Sequence, residues 1–145
     1  SDMGDTFEPR CGAFAALQFV KSNPDSSASG TNTDMTLASG IGTSAPMPYA
    51  GSIVSLAVTE NANVTAGTIA FGVHNAGTAY AQQSGLTATM TTAAGASNIA
   101  YSNVRQGVLT FAAGDKIGVN YASATNYAAT TIDFDALMVV CFNPV

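Results

Sequence analysis

Charge is the scarcest commodity in this sequence. Only 9% of its residues are Asp, Glu, Lys or Arg, against roughly 25% in an average soluble domain. Its cations are Arg10, Lys21, Arg105 and Lys116, set against nine acids for a net charge of -5. Four scattered cations cannot neutralise a run of phosphates, which argues against direct nucleic-acid binding. They offer anionic lipid equally little. Long apolar runs are missing too. The longest, 136–142, falls far short of the roughly 18 residues needed to cross a bilayer. The opening SDMGDTFEPR has no apolar stretch of the signal-peptide kind. Two cysteines, Cys11 and Cys141, are too few for a zinc site or a disulfide framework. No segment carries a 3.6-residue apolar stripe, so helices are not expected.

What remains is a strand-forming sequence. At 145 residues, 47% of them hydrophobic, the chain can form one domain that buries about two-thirds of its unfolded surface. Ala, Gly, Ser, Thr and Asn occupy the positions that charges usually take, and such small side chains lose little entropy on ordering. Eight β-rich runs are predicted, at 12–20, 36–41, 51–59, 67–74, 86–92, 107–112, 116–122 and 132–142. Turn-forming clusters separate them at 60–63, 75–77, 93–95 and 113–115. Residues 1–11 read as an N-terminal arm, and 22–35 as a polar surface loop. Eight antiparallel strands in one domain of this length suit a jelly-roll sandwich.

Alternation predicts the buried faces. Val54, Leu56 and Val58 share one face of their strand. So do Ile69, Phe71 and Val73 in the next, and Ile117, Val119 and Tyr121 later. The first and last strands differ, because both of their faces are apolar. In the first, Ala13, Ala15, Leu17 and Phe19 oppose Phe14, Ala16, Gln18 and Val20. In the last, Ile132, Phe134, Ala136, Met138, Val140 and Phe142 oppose Asp133, Asp135, Leu137, Val139 and Cys141. A sheet face bearing Leu and Val needs a cover, and another copy of the chain is the obvious one.

From Met47 onward the order of motifs resembles the trimeric jelly roll of the tumour necrosis factor and complement globular-head superfamily. The stretch GVLTFAAGDKIGVNYA (107–122), followed by DFDALMVVCF (133–142), carries most of the likeness. MPYAGSIVSLAVTENANVTAGTIAFGVHNAG (47–77) adds to it. Among proteins of this pattern, the chain is most similar to jelly-roll domains of tailed-bacteriophage structural proteins: head decoration proteins, head fibres and fibre heads. The resemblance implies an all-β, eight-stranded antiparallel trimer whose first and last strands lie side by side nearest the threefold axis. It also implies that Cys11 and Cys141 lie close together. Their parities differ, however, and sulfurs on opposite faces cannot bond unless Gly12 permits an irregularity. A virion protein made in a reducing host cytoplasm would also keep its thiols. Two free thiols are therefore expected.

The chemistry-bearing residues are few. His74 is the lone histidine and ends a strand without an evident partner, so a structural role is expected. Asp133 and Asp135 point the same way on one strand, but a calcium site needs several more oxygen ligands. Asp115 follows Gly114 in a turn, where a carboxylate accepts nearby backbone N–H groups. Asn63-Val64-Thr65 is a glycosylation sequon, meaningful only in a eukaryotic secretory protein. Asn126 and Tyr127 stand in a loop where the Tyr ring could stack on a sugar.

The expectation is a non-enzymatic virion protein: a homotrimeric decoration protein or head fibre on the capsid surface, with no cofactor, metal or catalytic residue. Its partners would be itself and the major capsid protein or another virion protein. Phe14, Ala16, Val20, Leu137, Val139 and Cys141 are the expected trimer contacts. The alternative is the head of a tail fibre that binds host surface glycan through the Tyr127 loop. A third reading is a secreted, cytokine-like trimeric ligand, to which the few aromatics and the missing signal are ill suited.

Overall fold

The computed structural model describes residues 11–24, 32–75, 85–92 and 99–145; the arm at 1–10 and the middle of the 22–35 loop lie outside them. The described residues form eleven strands: β1 (Ala13–Ser22), β2 (Thr33–Asp34), β3 (Thr36–Leu37), β4 (Ala45–Pro46), β5 (Gly51–Glu60), β6 (Ile69–Asn75), β7 (Thr87–Met90), β8 (Ile99–Asn103), β9 (Leu109–Phe111), β10 (Lys116–Ser123) and β11 (Asp133–Phe142). All named pairings are antiparallel. The first sheet has six strands in the order β3-β1-β11-β5-β8, with β9 also on β5. The second has five, in the order β2-β10-β6-β7, with β4 also on β10.

The core lies between the sheets and follows the alternation closely. Ile69, Phe71, Val73, Ile117, Val119 and Tyr121 are all buried from the second sheet. Phe19, Phe134, Ala136, Met138 and Val140 meet them from the first. Phe71 joins the layers, 5.0 Å from the Phe134 ring and 6.0 Å from Tyr121. Such tilted pairs add about 0.5–1.5 kcal/mol each beyond the area they bury.

Three strands escaped the eight-run reading. β2 and β4 have two residues each, too few to show alternation. β8 alternates with its large side chains outward, Ile99 and Tyr101 against Ala100 and Ser102, so its pattern is the reverse of a core strand. The 36–41 run shrinks to Thr36–Leu37. The polar loop also ends earlier than 35, because Thr33–Asp34 pairs with β10 and Met35 is fully buried.

Two further corrections have local causes. Val54 does not share the face of Leu56 and Val58. Consecutive Val139 and Val140 pair with Ser55 and Ile53, so Val54 is an extra, bulged residue and Ile53 turns inward in its place. The second correction concerns the cysteines, which are joined as a disulfide. β1–β11 pairing runs out at Ala13–Phe142. There the Gly12 N–H donates to the Phe142 carbonyl, and a Cβ on Gly12 would stand 2.8 Å from Pro144 Cα. Only glycine fits so close to that backbone. The chain thereby leaves the alternation at Gly12, and Cys11 reaches Cys141 with a Cα–Cα distance of 5.4 Å.

Candidate interaction surface

Strand register places the outward side chains of the six-stranded sheet in rows. Ala16, Val139, Ser55 and Asn103 form one row; Gln18, Leu137, Ala57 and Tyr101 the next; Val20, Asp135, Thr59 and Ile99 the third. Phe14 lies beyond them, opposite Cys141. Side chains directly opposite on neighbouring strands stand about 4.5–5.5 Å apart, so each row is a continuous surface.

That surface is apolar and open. Phe14 is 70% exposed, Tyr101 70%, Ile99 55% and Leu137 44%. Half of the large hydrophobic side chains exposed among the described residues belong to this one face. Between Leu137, Ala57, Ile99, Gln18, Thr59 and Asp135 the face sinks into a groove of about 430 Å³. Asp135 is the one charged group lining it. Scattered exposed apolar residues are ordinary; a contiguous set on one sheet face marks an interaction site.

The structure therefore gathers five of the expected contact residues: Phe14, Ala16, Val20, Leu137 and Val139. Cys141 points the same way but is buried and bonded to Cys11, so it is unavailable for contact. Gln18, already placed on this side of the first strand by alternation, belongs to the face as well; Ala57, Ile99 and Tyr101 also belong to it and were not foreseen. For Ile99 and Tyr101, the signal was an isolated alternating pair between two turn-rich stretches.

The expected ligand loop is a different matter. Asn126 is exposed, but Tyr127 is 3% exposed and packs within the core. A ring so placed cannot stack on a sugar. Burial, with Glu60 and Tyr121 nearby, pushes the Tyr127 phenol up to about 12. Glu60 is itself buried, and that raises its carboxyl above the usual range.

The remaining polar side chains hold turns and edges. Asp115 accepts from Ala112 N–H at 2.9 Å and Asn75 Nδ2 at 2.8 Å, and those bonds lower its pKa. Asp133 accepts from Asn61 Nδ2 at 3.3 Å, while its own N–H donates to Asn61 Oδ1 at 2.9 Å. Asn63 of the sequon is exposed, outside the strands. Among the described residues, no three His, Cys, Asp or Glu side chains group as metal ligands would.

His74 does have a carboxylate partner. Its Nε2 lies 3.3 Å from Asp34 Oδ1. His74 stands beside Gly118 in the register, and Asp34 beside Asn120. A Cβ on Gly118 would meet His74 Nε2 at 2.7 Å. The imidazole thus lies across β10 in the space left by the missing side chain and reaches β2. Desolvation lowers the His74 pKa, and the Asp34 carboxylate opposes that shift.

No protein-family model matches the chain, and no curated protein matches it in sequence. Solved structures do match it in fold. One is a chain of the acidic stable capsid structure of Helicobacter pylori bacteriophage KHP30. Its TM-score is 0.55 at 12% identity, over 95% of this chain and 94% of that one. Another belongs to the cyanophage Pam1 capsid asymmetric unit. There the TM-score is 0.52 at 14% identity, over 99% of this chain and 94% of that one. At such identities the likeness is one of fold: all-β, with antiparallel sheets like those of chains in phage capsids.

Proposed function

We propose that the chain is a non-enzymatic structural protein of a bacteriophage virion, displayed on the capsid surface as a trimeric decoration protein or head fibre. The observation that carries this reading is the open apolar face of the six-stranded sheet. It is too extensive to leave wetted, and copies of the same chain are the proposed cover. The likeness to chains in two phage capsids, covered nearly end to end, supports a virion role. Counting β2 with β4 as one edge beside β10, and β8 with β9 as one beside β5, the two antiparallel sheets have nine strand positions, one more than the expected eight.

In this reading Leu137, Tyr101 and Ile99 lie in the subunit contact, with Asp135 in the row of Ile99 and Phe14 towards one end. The assembled trimer then binds the major capsid protein or another virion protein at equivalent points, so its affinity for the particle is an avidity. The test has two steps. Sedimentation should give about three times 14.6 kDa. Particles lacking the protein should then retain it stoichiometrically, and retain a monomeric Leu137→Asp variant poorly. A folded monomer at micromolar concentration rules out the trimer, and a trimer that ignores capsids rules out decoration. The fibre-head reading rested on the Tyr127 ring, and its burial leaves that reading without a specific observation in its favour.

A further inference from the structure

We propose that Cys11 and Cys141 are an ordered redox pair, with Cys11 the entry thiol and Cys141 the resolving one, so that the fold closes first and oxidation then locks it. The inference is intramolecular and does not depend on the assembly reading.

Three observations carry it. First, β1 and β11 pair along their whole lengths, from Ala13–Phe142 to Ser22–Asp133. That ladder, continued by Gly12 N–H to Phe142 O, holds the backbones of the two cysteines side by side through hydrogen bonds of its own. Second, these are the chain's two cysteines. No mispairing within one chain competes, and no reshuffling is needed. Third, the two sites differ in access. Cys141 is 1% exposed on the sheet, between the strands that flank β11, whereas Cys11 is partly exposed past the end of β1. A small-molecule disulfide can approach Cys11 and cannot approach Cys141.

The exchange then runs in one order. The Cys11 thiolate attacks one sulfur of the small disulfide, forming a mixed disulfide and releasing one thiolate. The Cys141 thiol gives its proton to solvent, and its sulfur attacks Cys11 sulfur, expelling the second thiolate. Two electrons pass from the cysteine pair to the small disulfide, which leaves as two thiols. The bond closes a loop of sequence separation 130, nearly the entire chain. Stabilisation by a cross-link grows with the loop it closes.

Oxidised glutathione is the probe. The reduced full chain should already show its native circular dichroism. On oxidation it should lose both free thiols, gain no adduct, and melt several degrees higher. Cys141→Ser should stop at a stable glutathione adduct on Cys11, whereas Cys11→Ser should stay unmodified until denaturant is added. A brief, limiting pulse of iodoacetamide on the reduced native wild type should label Cys11 first, which tests the order without relying on a variant. Thiols that stay free in the folded, oxidant-treated chain overturn the proposal. So does labelling of Cys141 as fast as Cys11, or a reduced chain that does not fold.

Discussion

The inner faces of the two sheets are alike; the outer faces are opposites. Outside the six-stranded sheet lie Phe14, Leu137, Tyr101 and Ile99, open to solvent. Outside the five-stranded sheet the register places Gly72, His74, Gly118 and Asn120, all buried. Over β6 and β10 the second outer face is covered by the chain itself. Asp34 reaches His74, and the Thr43 carbonyl would stand 2.5 Å from a Cβ on Gly118. Small and polar residues line the face that the chain covers alone, where tight backbone approach matters. Large apolar residues line the face that it leaves open. In the proposed function, this difference gives stability to one side and association to the other.

The sharpest way to break the comparison is a charge at the centre of the open face. Leu137→Asp should leave the fold intact, since the side chain is already 44% exposed. It should weaken subunit association at least about a hundredfold, roughly 3 kcal/mol, because the new carboxylate would be buried without a partner. Analytical ultracentrifugation across a concentration series reads this directly. An unchanged trimer would mean that association uses another surface.

A methyl group on the covered face should do the reverse. Gly118→Ala would place Cβ against both the Thr43 carbonyl and the imidazole of His74. Overpacking of this kind costs about 1–3 kcal/mol. Urea denaturation of the variant should show that loss, with subunit association unchanged once the protein is folded. No loss of stability would mean that the cover over β10 is loose.

His74 supplies a pH test of the same cover. Its folded pKa lies below the ordinary value of 6.5. The unfolded chain therefore takes up the proton first, and stability falls as pH drops from the ordinary histidine range towards the lower folded value. At its steepest a single proton changes stability by about 1.4 kcal/mol per pH unit. His74→Gln should remove that share of the slope between pH 7 and 5, read from urea midpoints at each pH. An identical slope in the variant would show that the histidine is solvated.

The uneven legibility of the sequence follows the same division. Long strands with one uninterrupted apolar face announced themselves, as Phe71 and Val73 or Val119 and Tyr121 did. The doubled apolarity of β1 and β11 pointed to a second apolar face, which the described residues of the single chain leave open. What stayed hidden depended on contacts between distant segments. Asp34 meets His74 only because a two-residue strand joins the edge of β10. Tyr127 turns inward although its neighbours Thr125 and Asn126 are polar and exposed. The disulfide depends on a departure from alternation at Gly12, and Val54 on an extra residue that only pairing with β11 reveals. Alternation describes a strand's faces; it cannot say where a strand stops alternating.

The smallest expected effect is the control that gives the first prediction its meaning. Thr89 and Tyr101 are a matched pair. Each points outward from a strand at the edge of its sheet, Thr89 on β7 opposite Ala70 and Tyr101 on β8 opposite Ala57. Both are exposed in the single chain. If exposure alone decided the outcome, Asp at either position would be equally harmless. If the open face is a subunit contact, Tyr101→Asp should weaken association, whereas Thr89→Asp should not change it. Stability should move by no more than about 1 kcal/mol in Thr89→Asp, the span of strand propensities at an edge. Sedimentation and urea denaturation of the two variants side by side make the comparison. Equal loss of association in both would show that each sheet contributes to the contact, and the division between a stabilising face and an associating face would fall.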